Sequence, residues 1–120
     1  LTVKENMCLT SQIKGKKVDE KELNQVFKLL GLEHKKDSFA NELSGGQQQR
    51  VAIGRAILAH TDIILADEPT GNLDGENAEN VMDILKVLNG KGKTIVLVTH
   101  DLKIANYADR IIRLEQGKIV

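Results

Sequence analysis

Apolar residues recur along the chain at spacings that distinguish helices from strands. The clearest helical face predicts a helix at about Asp19–Leu30, ended by Gly31, a residue that tolerates the left-handed conformation found after many helices. Its apolar positions, three and four residues apart, are Leu23, Val26, Phe27 and Leu30. Thr2 and Glu5 form the pattern of a capping box, which predicts an earlier helix at about Val3–Ile13.

Helical and strand patterns alternate in the middle of the chain. A helix predicted at Val51–Ala59 precedes a short apolar run at 62–67, and a helix from about Glu76 to Asn89 precedes a second run at 94–99. Both runs contain β-branched residues and are bounded by polar or turn residues. They therefore predict two buried strands.

The last part of the chain predicts a short helix around Leu102–Tyr107, a third strand at Arg110–Leu114, a tight turn at Gln116–Gly117 and a fourth strand from Lys118. The order strand, helix, strand, helix, strand predicts a parallel sheet with right-handed crossovers. The predicted fold class is α/β, with a helical first part.

Length and charge limit the classes of function. The 120 residues suffice for one core and are too few for two ordinary domains. Lysine plus arginine and aspartate plus glutamate each number 17, so no net positive charge supports a nucleic-acid partner. The single Cys8 excludes an internal disulfide, and no apolar run is long enough to span a bilayer. These features favour a soluble intracellular chain.

Candidate phosphate-binding and metal-binding residues stand at two places. Ser44 is a favourable N-cap, and Gly45 and Gly46 leave backbone N–H groups open to an anion at a helix entrance. Asp67 and Glu68 follow at the end of the first predicted strand. One segment suits a phosphate, and the other suits a metal ion and an activated water.

Polar residues end both central strands, since Asp67 and Glu68 follow the first and His100 and Asp101 follow the second. Ligands of parallel sheets bind outside the carboxyl ends of the strands, so these residues are expected at one edge. Mg²⁺ prefers one or two carboxylates together with substrate phosphates. The adjacent carboxylate can orient a water, and His100 can donate to a phosphoryl oxygen. This layout is typical of phosphoryl transfer.

Each candidate also has an ordinary structural interpretation. Asp67 and Glu68 can form a polar strand end before Pro69, and Ser44 can be a simple cap in a flexible loop. A histidine after a strand is more often structural than catalytic. The occurrence of all these features together, in this order, favours the functional interpretation.

The segments also resemble the nucleotide-binding domain of ABC transporters along essentially the whole chain. Leu43–Gln47, hereafter the signature segment, resembles the ABC signature motif, and Ile63–Glu68 resembles Walker B with its catalytic glutamate. Gly71–Asp74, hereafter the D-loop segment, resembles the D-loop, and Thr99–Asp101 resembles the H-loop. The sequence of residues 67–74 is most similar to that of the bacterial branch that serves lipoprotein release, macrolide or antimicrobial-peptide export and cell division.

The resemblance implies a role for each matching residue. Asp67 would hold Mg²⁺ through water, Glu68 would polarise the attacking water, and His100 would contact the γ-phosphate of ATP. The residues that would bind the ATP held by a second ATP-binding subunit are Ser44, Gly45, Gly46 and Gln47. Asp74 would lie at the interface of this dimer.

The resemblance also implies an organisation. Residues 1–42 would form a helical subdomain, which faces transmembrane permease subunits in the family. Residues 43–120 would form the C-terminal part of a RecA-like P-loop NTPase core. The implied location is cytoplasmic and peripheral, on the inner face of the cell membrane.

A Walker A loop, G-x-x-x-x-G-K-[ST], is absent from the sequence. Gly92, Lys93 and Thr94 do not provide one, because Val87 stands where the first glycine is required. We therefore expect a fragment, truncated so that the Walker A strand and the Q-loop lie upstream. Such a fragment would have open sheet edges and would not hydrolyse ATP alone.

Two other functions remain open at this point. A non-transport ABC-type ATPase is one, although the compact 1–43 stretch leaves no room for the coiled-coil insertion that such proteins tend to carry. A non-catalytic module that only donates its signature motif to a neighbour is the other. The presence of Glu68 and His100 weighs against that second alternative.

Overall fold

The computed structural model describes all 120 residues and contains five α-helices and four strands. The helices are α1 (Val3–Ile13), α2 (Glu20–Leu30), α3 (Gly45–Leu58), α4 (Gly75–Gly90) and α5 (Leu102–Ala105). The strands are β1 (Ile63–Asp67), β2 (Thr94–Val98), β3 (Leu114–Glu115) and β4 (Lys118–Ile119). Two short 3₁₀ turns, Glu33–Lys35 and Ala40–Glu42, join α2 to α3.

Local capping interactions set the helix boundaries. The Thr2 hydroxyl accepts from the Glu5 N–H at 3.2 Å, and the Glu5 carboxylate accepts from the Thr2 N–H at 2.9 Å, as the capping-box pattern predicts. Gly31 ends α2 in the left-handed conformation, with φ at 66°. Ser44 is the N-cap of α3, as predicted, but the predicted helix range from Val51 starts too late, because this cap begins the helix at Gly45.

Helix α3 packs against both α1 and α2, and a glycine makes this packing possible. A Cβ at Gly54 would lie 2.6 Å from the Met7 sulfur and 2.8 Å from a Leu30 methyl carbon. The side chain of Arg50 donates to the Leu30 carbonyl at 3.2 Å and so caps the end of α2. Twenty buried apolar residues form one cluster, which runs from Val3 in α1 to Ile104 in α5.

Strands β1 and β2 pair in parallel, in a register that places Ile63 opposite Thr94 and Asp67 opposite Val98. Helix α4 provides the crossover between them, as predicted. The prediction that both strands are fully buried is wrong. Ile64 and Ala66 face the core, whereas Leu65 is 77% exposed because no element covers the other face of the sheet.

The predicted third strand at Arg110–Leu114 is also wrong. Only Leu114 and Glu115 pair, and they pair with Lys118 and Ile119 in an antiparallel hairpin rather than with the parallel sheet. Gln116 and Gly117 form the predicted tight turn, with φ values of 50° and 77°. Extended backbone becomes a strand only where a neighbour supplies hydrogen bonds, and apart from the Arg113 carbonyl, which accepts from the Val120 N–H at 3.0 Å, residues 110–113 have no such neighbour.

None of the five helices is both long enough and apolar enough to cross a lipid bilayer.

Candidate functional site

The parallel register brings the polar ends of β1 and β2 together. The Glu68 N–H donates to the Val98 carbonyl at 2.7 Å, which extends the ladder by one residue beyond Asp67. Glu68 then adopts the left-handed conformation, with φ at 45°. This turn aims its carboxylate at the residues that follow β2 rather than along the strand.

The Glu68 carboxylate is held by three donors from the H-loop. One of its oxygens, Oε1, accepts from the His100 backbone N–H at 3.1 Å and lies 2.6 Å from His100 Nδ1. The other, Oε2, accepts from the Thr99 hydroxyl at 3.3 Å. The carboxylate is therefore fixed in place while its side chain stays 37% exposed. The His100 side chain, 89% exposed, remains open to a ligand.

These contacts set the charge state of Glu68. The hydrogen bond from the His100 side chain lowers the pKa of Glu68, and the His100 backbone N–H and the Thr99 hydroxyl lower it further. Partial desolvation is the second-largest influence and raises the pKa, but the His100 and Thr99 contacts together outweigh it. Glu68 is therefore ionised at neutral pH, the state required to accept a hydrogen bond from a water.

Asp67, beside Glu68, is exposed and forms no salt bridge within the chain. No group of three or more histidine, cysteine, aspartate and glutamate side chains could form a metal cage. A free carboxylate at a strand end nevertheless fits an Mg²⁺ whose other ligands are substrate phosphates and waters.

The signature segment begins α3 with a reciprocal cap. The Ser44 hydroxyl accepts from the Gln47 N–H at 3.2 Å, and the Gln47 side-chain oxygen accepts from the Ser44 N–H at 3.0 Å. The N–H groups of Gly45 and Gly46 have no acceptor within the chain. They stand at the positive end of a 14-residue helix, where an anion is stabilised.

The D-loop segment packs directly against the signature segment. A Cβ at Gly45 would lie 3.6 Å from a Leu73 methyl carbon, an ordinary contact distance. A Cβ at Gly46 would lie 2.5 Å from the side-chain oxygen of Asn77, in the first turn of α4. Asp74 caps α4, because its carboxylate accepts from the Asn77 backbone N–H at 2.8 Å and the Asn77 side-chain amide at 3.2 Å.

The predicted site residues thus fall into two groups that no hydrogen bond connects. The strand-end group contains Asp67, Glu68 and His100, and the helix-entrance group contains the signature segment with Asp74. Sequence reasoning gave no separate role to Thr99 and missed Asn77. The spacing Asp74-x-x-Asn77, which is that of an N-cap and the residue whose N–H it accepts, was the available signal for Asn77. An apolar groove of about 260 Å³ between α4 and β2 contains no predicted site residue.

A family model described as ABC transporter matches residues 1–71, more than half of the chain. The chain belongs to the ABC transporter family. This match confirms the resemblance predicted from the motifs, and the α/β fold predicted with it agrees with the solved ABC cassettes. Among these, a dimeric post-hydrolysis structure of the ATP-binding cassette MJ0796, bound to ADP and phosphate, matches with a TM-score of 0.81. The two sequences are 40% identical, over 99% of this chain and 54% of that one.

Curated relatives of this ABC family member include proteins of the predicted branch. The macrolide export ATP-binding/permease protein MacB of Campylobacter jejuni is 51% identical over the whole chain, which covers 19% of that protein. The cell division ATP-binding protein FtsE of Streptococcus pneumoniae is 43% identical over 99% of the chain and 53% of its own length. The chain therefore spans about a fifth of the first relative and about half of the second.

Proposed function

We propose that this chain contributes the signature segment, the catalytic carboxylate and the H-loop histidine to an ATP-hydrolysing cassette of an ABC transporter. The observation that carries the proposal is the Glu68 carboxylate, ionised and held by His100 and Thr99 at the end of the parallel strands. Membership of the ABC transporter family supplies the substrate class, a nucleoside triphosphate.

Glu68 acts on the water that attacks the γ-phosphate. Because Oε1 and Oε2 are anchored by donors from Thr99 and His100, the carboxylate keeps its lone pairs in a fixed direction. An ionised, oriented carboxylate polarises a water and accepts its proton in the transition state. Positioning of this kind supplies most of the catalysis in phosphoryl transfer.

His100 serves the same reaction from the phosphate side. One ring nitrogen, Nδ1, faces Glu68, so the other, Nε2, is directed away from the carboxylate and toward solvent. In the imidazolium form, which donates from both ring nitrogens, Nε2 would stabilise charge on a γ-phosphoryl oxygen. Asp67 would hold Mg²⁺ through water, and the ion would neutralise charge on the phosphates.

The signature segment serves a nucleotide held by a second cassette. In this proposal Ser44, Gly45, Gly46 and Gln47 bind its γ-phosphate with the unpaired N–H groups at the start of α3. The absence of hydrogen bonds between this segment and Glu68 supports two separate nucleotide contacts. The MJ0796 cassette, described as a dimer, provides a precedent for such pairing.

The proposed function also implies an organisation of the chain within the transporter. Residues 1–42 form the helical subdomain directed at transmembrane permease subunits, residues 43–120 belong to the ATPase core, and Asp74 lies near the dimer interface. The assembly is peripheral on the inner face of the cell membrane. The name of the MacB relative, an ATP-binding/permease protein, supports a membrane partner.

Substitution of Glu68 tests the proposal in the complete gene product. Glu68→Gln keeps the size of the side chain and removes the carboxylate, so kcat for ATP should fall by about 10²–10⁴-fold, the range for loss of a general base. Glu79→Gln, an exposed acid on α4, is the matched control and should leave kcat unchanged. Retention of wild-type turnover by Glu68→Gln would contradict the assignment.

A further inference from the structure

Asn77 lies between the two motifs of the helix-entrance group and touches both. Its side-chain oxygen is the atom closest to the position that a Cβ on Gly46 would occupy, at 2.5 Å, and its Cγ is 2.7 Å from that position. Its side-chain nitrogen donates to Asp74 at 3.2 Å, and its backbone N–H donates to the same carboxylate at 2.8 Å. One amide therefore packs on the signature segment and bonds to the D-loop segment.

The requirement for glycine at position 46 follows from this contact rather than from backbone conformation. The φ of Gly46 is not positive, so an alanine could adopt the backbone geometry there. What excludes a Cβ is the space that Asn77 fills, since a separation of 2.5 Å is far below van der Waals contact. The neighbouring Gly45 has no such restriction, because its nearest neighbour, Leu73, is 3.6 Å from an added Cβ.

We propose that Asn77 is a positioning residue that locks the signature segment to the D-loop segment within one subunit. Asp74 holds the Asn77 amide in one orientation, and that amide sets how closely Gly46 approaches α4. A displacement of Asp74 is therefore transmitted to the start of α3, which carries the unpaired N–H groups of the signature segment. This inference deepens the proposed function, on which its catalytic consequence rests.

A double-mutant cycle on the complete gene product tests the contact without any assay of activity. The thermal midpoint, measured by calorimetry without nucleotide, should fall by about 5 °C or more in Gly46→Ala, the scale expected for overpacking. Adding Asn77→Ala should raise the midpoint above that of Gly46→Ala alone, because the two shortest contacts disappear. The remaining contact, 3.1 Å to the Cβ of residue 77, requires a shift of only a few tenths of an ångström.

Gly45→Ala is the matched control, since it adds the same methyl group to the same helical turn. Its midpoint should stay closer to wild type than that of Gly46→Ala. If Gly46→Ala yields no folded protein, recovery of folded protein by the double variant is the corresponding supporting result. A double variant no more stable than Gly46→Ala, or equal losses from the two glycine substitutions, would overturn the inference.

Steady-state kinetics separates a positioning role from simple packing. Asn77→Ala should lower kcat for ATP about fivefold, which corresponds to one hydrogen bond of about 1 kcal/mol, with KM for ATP unchanged. An unchanged kcat, or a rise in KM of equal size, would contradict the positioning role. Absence of turnover in the wild-type protein would instead contradict the proposed function, and the stability cycle would still report on the contact.

Discussion

The first 58 residues and the last 13 differ in how completely they are packed. Helices α1, α2 and α3 bury a shared apolar face, and long-range bonds reach the carbonyl ends of two of them, from Arg50 to the Leu30 carbonyl of α2 and from the Ser11 hydroxyl to the Leu58 carbonyl of α3, at 2.9 Å. Residues 108–120 are all exposed, and four of them pair in an isolated hairpin. The tail also contains large apolar residues, including Ile111, Ile112 and Leu114, yet all of them are exposed, so their presence alone does not explain the difference.

The difference lies in where each region finds its hydrogen-bond partners. A helix pairs its backbone groups within four residues and needs a neighbour only for its apolar stripe. A parallel strand needs another strand on at least one edge before it exists at all. The helices therefore find their backbone partners locally, whereas most of the tail has no strand beside it in this structure.

The largest expected effect separates the two regions by stability. Phe27→Ala, at a fully buried position of α2, should lower the free energy of unfolding of the 120-residue chain by about 3–5 kcal/mol. Leu114→Ala, in the exposed hairpin, should change it by less than about 0.5 kcal/mol. Urea denaturation followed by circular dichroism measures both values. Similar losses at the two positions would show that the tail is packed as tightly as the helices.

Removing the caps of two helices, one packed and one near the tail, should have a smaller effect on the free energy of unfolding. Asp74→Ala removes both acceptor contacts to Asn77 at the start of α4 and should cost about 1 kcal/mol of stability. Asp101→Ala removes the matching contact to the Lys103 N–H, but α5 has only four residues and one buried side chain. Its cost in the same urea experiment should be lower. A larger loss from Asp101→Ala than from Asp74→Ala would contradict a dependence of the cap's contribution on packing.

The smallest expected effect is the pH dependence of the Glu68 contact. Because the folded pKa of Glu68 is lowered, its contribution to stability is full above the unfolded pKa and is lost as pH falls through the folded pKa. His100→Ala removes the main cause and should raise the pKa of Glu68 toward its ordinary value. NMR titration of the Glu68 side-chain carboxyl measures this change, with Lys103→Ala as the control. If His100→Ala leaves the pKa of Glu68 unchanged, His100 is not the cause of its lowered value.

The sequence predicted the fold best where the structure depends on residues only a few positions apart. The cap at Thr2 and the end of α2 at Gly31 were predicted from residues within a few positions of each boundary. The cap at Ser44 was predicted, but the helix range was started at Val51 because two glycines are poor helix formers, and the Ser44–Gln47 cap outweighs their propensity. The strand at Arg110–Leu114 was predicted wrongly because β-propensity does not specify a partner.

In the candidate site, too, some features follow from the order of strands in the sequence and others only from the packed structure. The proximity of Glu68 and His100 was predictable, since both end neighbouring strands of one parallel sheet. The inward turn of Glu68 and the hydroxyl contact from Thr99 depend on backbone geometry at one residue, which no periodicity encodes. The contact between Gly46 and Asn77 joins segments thirty-one positions apart and required the packed structure.

The left-handed backbone of Glu68 sets thermodynamic stability against chemistry at a single position. Glycine adopts this conformation without penalty, whereas a residue with a Cβ carries about 1–2 kcal/mol of strain. Glu68→Gly should therefore relieve strain in the 120-residue chain while removing the carboxylate. The same substitution would also remove the three hydrogen bonds that stabilise the carboxylate, so strain and contacts act in opposite directions at Glu68, and part of the folding energy is given up to aim one side chain.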